Sequence, residues 1–127
     1  MAFRTSALLR LLLDLDTYGG VDSLGVFPLF LTKVVYIVAS KISILFCRLV
    51  RLGSFPECWR YANVTAILNG APSPEEENYR PISITPILSK VYEKLVTRKL
   101  SSFCEKYGLL SAAQFAYSKR VTCTDAL

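Results

Sequence analysis

The stretch Asn78–Val96 reads NYRPISITPILSKVYEKLV and joins a predicted strand to a predicted helix. Residues Asn78–Ile84 favour a strand, and Pro81 restricts it to a sheet edge or a bulge because proline has no backbone N–H to donate. We expect Thr85 to cap the next helix and Pro86 to be its first residue.

The helix after Pro86 carries apolar residues at the spacing of an amphipathic helix, and Gly108 is expected to end it. The apolar positions are Leu88, Val91, Tyr92, Leu95, Val96, Leu100, Phe103 and Cys104. The charged positions, which mostly take the other face, are Lys90, Glu93, Lys94, Arg98, Lys99 and Lys106. This pattern predicts one buried face and one basic, solvated face.

Upstream, the segment Tyr61–Leu68 is rich in β-branched residues and is predicted to be a strand. Asn69 and Gly70 form a strong turn signal, and the polar segment Ala71–Glu77 that follows is a proline-bearing loop. The two predicted strands therefore form a hairpin with this loop at its tip.

A long helix is predicted from Pro28, which suits a first-turn position, to about Leu52, with Gly53 placed to end it. Its predicted apolar stripe is Phe30, Val34, Ile37, Val38, Ile42, Leu45 and Leu49. Val35, Phe46 and Val50 widen that stripe, so we expect the helix to be buried on more than one side.

A short helix is predicted over Ala7–Leu13, and Tyr18-Gly19-Gly20 makes the loop after it. The predicted fold class is α+β and mainly helical, with two long amphipathic helices and a small β-hairpin. We expect residues 1–20 to be an N-terminal helix and loop, and residues 21–127 to form one partial domain.

The composition of the chain suits one small domain with a cationic surface. Its 127 residues are 52% hydrophobic, and its net charge is +5. This charge suits contact with a polyanion, although a mild cationic bias without any partner is an equally good interpretation.

Several classes of site are not expected. The four cysteines show no C-x-x-C spacing and the chain has no histidine, which argues against a zinc site. Without histidine there is also no usual base for a nucleophilic serine, which argues against a serine hydrolase. Asp14, Asp16 and Asp22 could hold magnesium, but loop and helix-end roles are commoner, so no metal site is expected.

No uncharged run reaches the length of a membrane span, so no membrane partner is expected. Nothing demands disulfides, and we expect an intracellular location, in the cytoplasm or nucleus.

The NYRPISITPILSKVYEKLV stretch resembles the fingers region of non-LTR (LINE-type) retrotransposon reverse transcriptases. The resemblance continues in the same order and spacing on both sides, and it covers roughly Leu13 to Leu127. The flanking matches are Leu52–Arg60 (LGSFPECWR), Ala62–Thr65, Tyr107–Leu110, Gln114–Tyr117 and Asp125–Leu127.

The resemblance implies a fragment with the fingers and the beginning of the palm, without the rest of the palm. In the family, two metal ions are held by palm carboxylates in A-F-D-x-V-type and F-x-D-D-type segments, which would follow Leu127. The resemblance therefore implies no catalytic residue, no metal site and no cofactor in this fragment, whereas the complete enzyme would use magnesium. We expect the chain alone not to be an enzyme.

The resemblance also implies a nucleotide-binding residue, Arg80, whose family counterpart contacts the triphosphate of the incoming nucleotide. A guanidinium offers a planar fork of donors to phosphate oxygens. The alternative interpretation is an ion pair between Arg80 and one of the glutamates 75–77. Asn69 stands where relatives carry a lysine as a second phosphate contact, which puts nucleotide binding in doubt.

Gln114, Tyr117 and Lys119 match a segment that runs along the template-primer path in the family. This segment departs from its relatives at Ser118 and Arg120, and a plain surface loop is an equally good interpretation. We expect weak, non-specific RNA or DNA binding and self-association through exposed apolar surface. The alternative function is that of a small basic helical protein that binds RNA or a protein partner.

Overall fold

The computed structural model describes residues 3–69 and 79–110 of the chain. Within them, the helices are α1 (Thr5–Leu13), α2 (Pro28–Leu52) and α3 (Ile87–Lys106), with a short 3₁₀ turn at Glu57–Trp59. Strands β1 (Asn63–Leu68) and β2 (Tyr79–Ile84) pair as an antiparallel hairpin. The predicted α+β class is thus confirmed. The chain divides into two compact units, Met1–Leu95 and Val96–Leu127.

The bounds of α2 are the predicted ones, because local signals set both of its ends. Pro28 occupies the first turn, where its missing N–H costs no intrahelical bond. Gly53 adopts the left-handed conformation with φ 58°, and the N–H of Ser54 donates to the carbonyl of Leu49 at 3.1 Å. This is a Schellman ending, which a glycine adopts without steric cost.

The buried face of α2 differs from the predicted stripe. Of that stripe, Phe30, Ile37 and Leu45 are exposed, whereas Ile42 and Leu49 are buried. The rest of the buried row consists of Val35 and Phe46, which were expected to widen the stripe, and of Leu31 and Ala39, which were not expected to be buried. A helix that is apolar nearly all round offers two rows with helical spacing, so periodicity alone cannot choose between them. The predicted burial on more than one side is therefore wrong: a second, apolar side of α2 remains exposed.

Residues of the N-terminal segment decide which row of α2 is buried. α1 packs against α2, and the buried Ser43 hydroxyl donates to the carbonyl oxygen of Phe3 at 3.2 Å. The small residues Ala39 and Ser43 on α2 leave room for this approach. Close packing here buries Leu8 and Leu12 of α1 completely.

An aromatic cluster forms the centre of the core. The ring of Phe46 meets those of Trp59 and Tyr92 edge-on, with centroids 6.0 Å and 5.2 Å away. Phe55 lies against both Trp59 and Tyr92. Edge-to-face packing of this kind is the favoured arrangement for aromatic pairs. Burial within the cluster raises the pKa of the Tyr92 hydroxyl.

The hairpin is close to the prediction, with β1 beginning two residues later than expected, at Asn63. Its register pairs Ile67 with Arg80 and Thr65 with Ile82, and almost every side chain on both strands is exposed. A two-stranded hairpin buries little surface of its own. The predicted turn at Gly70, the loop Ala71–Glu77 and Asn78 lie outside the described residues.

Helix α3 begins at Ile87 rather than at the predicted Pro86, and Thr85 does not cap it. The carbonyl oxygen of Pro86 accepts from the N–H of Lys90 at 3.1 Å. The Ile87 N–H donates instead to the carboxylate of Asp22, 65 residues earlier, at 2.8 Å. A distant carboxylate thus replaces the local cap that the sequence suggested.

The other end of α3 matches the prediction. Gly108 takes a left-handed φ of 61°, and the N–H of Leu109 donates to the carbonyl of Cys104 at 2.9 Å. Of the predicted apolar stripe, Val91, Tyr92 and Leu95 are buried. The later positions Leu100 and Phe103, in the second unit, are exposed, so the predicted buried face does not extend along the whole helix.

By length and composition, α2 is the one helix among the described residues that could cross a membrane. Core helices of soluble proteins and N-terminal signal sequences meet the same criteria. Lys33 and Lys41 interrupt its apolar run.

Candidate functional site

Arg80 and Asn69 lie side by side where β1 ends and β2 begins. Asn69 directly follows β1, and Arg80 is the second residue of β2, opposite Ile67. With the Asn69 amide oriented so that its oxygen faces Arg80, that oxygen accepts from Nε at 3.1 Å and from Nη2 at 3.0 Å. The hairpin register thus brings together two residues that the sequence had singled out separately.

This arrangement orients a cation without neutralising it. The amide oxygen of Asn69 occupies one edge of the guanidinium, which leaves the Nη1 hydrogens and the second Nη2 hydrogen for another acceptor. Both side chains are exposed. Because Asn69 is a neutral amide, its contact with Arg80 leaves the pair cationic, which suits an anion such as a phosphate. The glutamates 75–77, the predicted alternative partners of Arg80, lie outside the described residues.

The cations predicted on the solvated face of α3 are exposed. Lys90 and Lys94 lie one turn apart in the first unit, and Arg98 and Lys99 belong to the second. Also in the second unit, the Lys106 ammonium lies 5.2 Å from the centre of the Tyr107 ring, and Phe103 packs on that ring at 4.6 Å. A cation held against an aromatic ring is a common feature of single-strand contacts.

A cavity of about 290 Å³ lies between the loop after α1 and the first turns of α3. Its lining includes Lys90 and Lys94 together with Asp16 and Asp22. The cations and carboxylates balance in charge, so the cavity does not select for an anion. Neither Arg80 nor Asn69 lines it, and the cavity is therefore separate from the predicted nucleotide contact.

Two members of the predicted acidic group, Asp16 and Asp22, accept hydrogen bonds from backbone N–H groups. One oxygen of Asp22 accepts from the N–H groups of Leu24 and Val26, both at 2.9 Å, and the other accepts from Ile87. An oxygen of Asp16 accepts from the N–H of Tyr18 at 3.0 Å. Among the residues that the structure covers, no three His, Cys, Asp or Glu side chains are arranged to hold a metal.

Sequence reasoning missed the role of Asp22 in starting α3. The only local signal is that Asp22 is followed three residues later by Gly25, a pattern that indicates a turn. Nothing near Ile87 identifies a partner so far back in the chain. The predicted template-primer contacts Gln114, Tyr117 and Lys119 lie outside the described residues.

Comparisons with known proteins identify relatives among transposon polymerases, all from Drosophila melanogaster. The chain is 36% identical to the probable RNA-directed DNA polymerase from transposon X-element and 30% identical to that from transposon BS. It is 26% identical to the RNA-directed DNA polymerase from mobile element jockey. No protein-family model matches the chain.

Each of these matches extends over 77 residues, which is 60% of this chain but only 8% of the relative. The chain thus corresponds to a small part of the polymerases that it matches. Over those 77 residues it is related in sequence to RNA-directed DNA polymerases of non-LTR retrotransposons, which confirms the family resemblance.

Proposed function

We propose that this chain is a fingers segment of a non-LTR retrotransposon reverse transcriptase, able to contact a nucleotide but catalytically inactive alone. The observation that carries the proposal is the exposed Arg80 guanidinium on the hairpin, oriented by Asn69, in a chain related to such polymerases. The proposed domain spans residues 21–127, with an intracellular location and no membrane partner.

In this proposal Arg80 binds the triphosphate of an incoming nucleotide. Its remaining N–H donors form charge-assisted hydrogen bonds to phosphate oxygens, while the amide of Asn69 holds the plane of the guanidinium. Asn69 itself supplies no charge, so a phosphate here has one cation where relatives are expected to offer two. We expect nucleotide contact to be correspondingly weak.

The proposal assigns no catalytic role to the chain. The complete enzyme would use magnesium held by palm carboxylates, and the 127 residues contain neither an A-F-D-x-V nor an F-x-D-D segment. The carboxylates of Asp16 and Asp22 are engaged by backbone N–H groups, so they do not form a substitute site.

The purified chain is expected to show no primer extension on an RNA template with magnesium or manganese. The reason is that metal-assisted nucleotide transfer needs carboxylates positioned around the metal ions. Incorporation of labelled nucleotide measures this directly, with an active relative as the positive control. Metal-dependent extension that co-purifies with the chain through two independent columns would overturn the proposed inactivity.

RNA binding by the chain is expected to be weak and steeply dependent on salt. If about four of its cations contact phosphates, raising salt from about 50 to 200 mM should weaken binding to single-stranded RNA roughly fiftyfold through counterion release. The candidate cations are Lys90, Lys94, Arg98, Lys99, Lys119 and Arg120. A filter-binding titration at several salt concentrations gives the slope.

Two matched double variants identify the surface that binds RNA. Lys90→Gln with Lys94→Gln removes two charges from α3, and Lys33→Gln with Lys41→Gln removes two from α2. Only the first pair should lower the salt slope, by roughly one and a half units at about 0.7 per contact on a single strand. Equal effects of both pairs would show that net charge, and not this surface, attracts RNA.

A second candidate function is that of a small basic helical protein with a protein partner. It is favoured by the exposed apolar side of α2, which carries Phe30, Ile37 and Ile44. An intact, spliced and translated transcript that encodes this chain would support it, whereas a decayed F-x-D-D-type sequence just downstream in the genome would support the first proposal. Self-association through the exposed isoleucines of the hairpin is compatible with either.

A further inference from the structure

The side of α2 that faces away from the core carries a regular row of side chains. Its members are Phe30, Val34, Ile37, Lys41, Ile44 and Arg48, which we call the outer seam. They are spaced alternately four and three residues apart, which is the period of a coiled-coil seam. Ile37 is 77% exposed and Ile44 is 65% exposed, so within the described chain nothing covers the middle of the row.

The charge on α2 has one sign only. Its 25 residues include four basic side chains and no acidic one. Lys41 and Arg48 stand within the outer seam, while Lys33 and Arg51 flank it on one side. Burial of the apolar members would therefore bring a partner against several cations, and a partner with carboxylates at matching positions would be favoured.

The spacing and the charge of the outer seam argue against three other kinds of binding partner for it. A second copy packed seam to seam would bring more cations and no carboxylate to Lys41 and Arg48, because α2 contains no acidic residue. A bilayer surface favours an apolar sector with cations at its edges, whereas Lys41 and Arg48 stand inside the row. A nucleic acid strand favours aromatic platforms for its bases, and Phe30 is the only aromatic residue of the row.

We propose that the outer seam of α2 is a docking surface for an acidic amphipathic helix of a partner protein. The apolar side chains of that helix pack between Phe30, Val34, Ile37 and Ile44, and its carboxylates face Lys41 and Arg48. Docking of one helix against another through apolar residues three and four positions apart is a recurrent mode of protein recognition. The proposal does not depend on the polymerase relationship.

Two synthetic helices test the proposal with the full chain. Both are four heptads long, about 28 residues, which is enough to span the 25 residues of α2. Both carry leucine at the a and d positions of each heptad; one has glutamate at e and g, and the other has lysine there. The acidic helix should bind at least about tenfold more tightly than the basic one, with a preference that shrinks as salt is added. Fluorescence anisotropy of labelled helices measures both affinities.

A substitution in the seam has a matched control one residue away. Ile37→Glu should weaken binding of the acidic helix about tenfold or more, because it removes an apolar anchor and adds a like charge. Tyr36→Glu makes the same change of charge at a residue that is also exposed but lies off the seam, and it should leave binding unchanged. Circular dichroism checks that both variants retain the helical content of the parent chain.

Charge reversal provides the decisive comparison. Lys41→Glu with Arg48→Glu should invert the preference, so that the basic helix binds more tightly than the acidic one. The proposal is overturned if the parent chain binds both helices equally, or if Ile37→Glu and Tyr36→Glu act alike. It is also overturned if the seam variants lose affinity only for single-stranded RNA or for phosphatidylserine vesicles, since those outcomes would identify a different occupant.

Discussion

Replacing Arg80 with alanine is expected to raise the half-saturating nucleotide concentration about tenfold or more in a chimera with an active relative. In that chimera, residues 1–127 replace the matching segment of the relative, which supplies the palm. A charge-assisted hydrogen bond to phosphate contributes about 1.5–3 kcal/mol, and each 1.4 kcal/mol is a factor of ten. Steady-state incorporation at varied nucleotide concentration measures the change.

The neighbouring residue provides the comparison for this prediction. Asn69→Ala removes the acceptor that orients Arg80 and should raise the half-saturating concentration, by less than Arg80→Ala does. Asn69→Lys should lower it, because a second cation facing the triphosphate outweighs the loss of the two hydrogen bonds from Arg80 to the amide oxygen. A silent Arg80→Ala in an otherwise active chimera would refute the proposed role of the hairpin at its strongest point.

Replacing Asp22 with alanine is expected to destabilise the protein by roughly 2–4 kcal/mol, because three backbone N–H groups lose a carboxylate partner in a buried site. Urea unfolding followed by circular dichroism measures the loss. Asp22→Asn keeps one acceptor oxygen and should show a smaller loss.

Asp16 is the matched control for that experiment. It lies in the same loop, but its carboxylate accepts one exposed N–H, so Asp16→Ala should cost less than about 1 kcal/mol. If the two alanine variants unfold at the same urea concentration, the long-range hydrogen bond to Ile87 contributes no more than a surface turn does.

The elements of this fold were predictable where local chemistry determines them. Pro28 and Gly53 fix the ends of α2, and Gly108 ends α3, because each of these residues has a backbone preference that acts without tertiary context. The proximity of Asn69 and Arg80 also follows from local rules, since a hairpin of known register places residues near its turn beside each other.

Features that depend on distant packing were not predictable from the sequence. The predicted stripe of α2 includes the buried Ile42 and Leu49, but also Phe30, Ile37 and Leu45, which are exposed. Apolar residues occupy most of the helix surface, and only contacts with Phe3 and α1 select the part that is buried. The cap of α3 is likewise non-local, because the N–H of Ile87 donates to Asp22 and not to the predicted Thr85. No window of neighbouring residues contains that information.

The long-range cap on α3 has a consequence for how the intervening chain can change over evolutionary time. Asp22 and Ile87 close a loop of 65 residues that includes α2 and the whole hairpin. The entropy of closing a loop grows only logarithmically with its length, so doubling that loop would cost about 0.6 kcal/mol. Insertions at the hairpin tip can therefore accumulate, or be lost, with little effect on whether α3 begins correctly. The anchoring of the helix and the length of the hairpin are free to diverge independently.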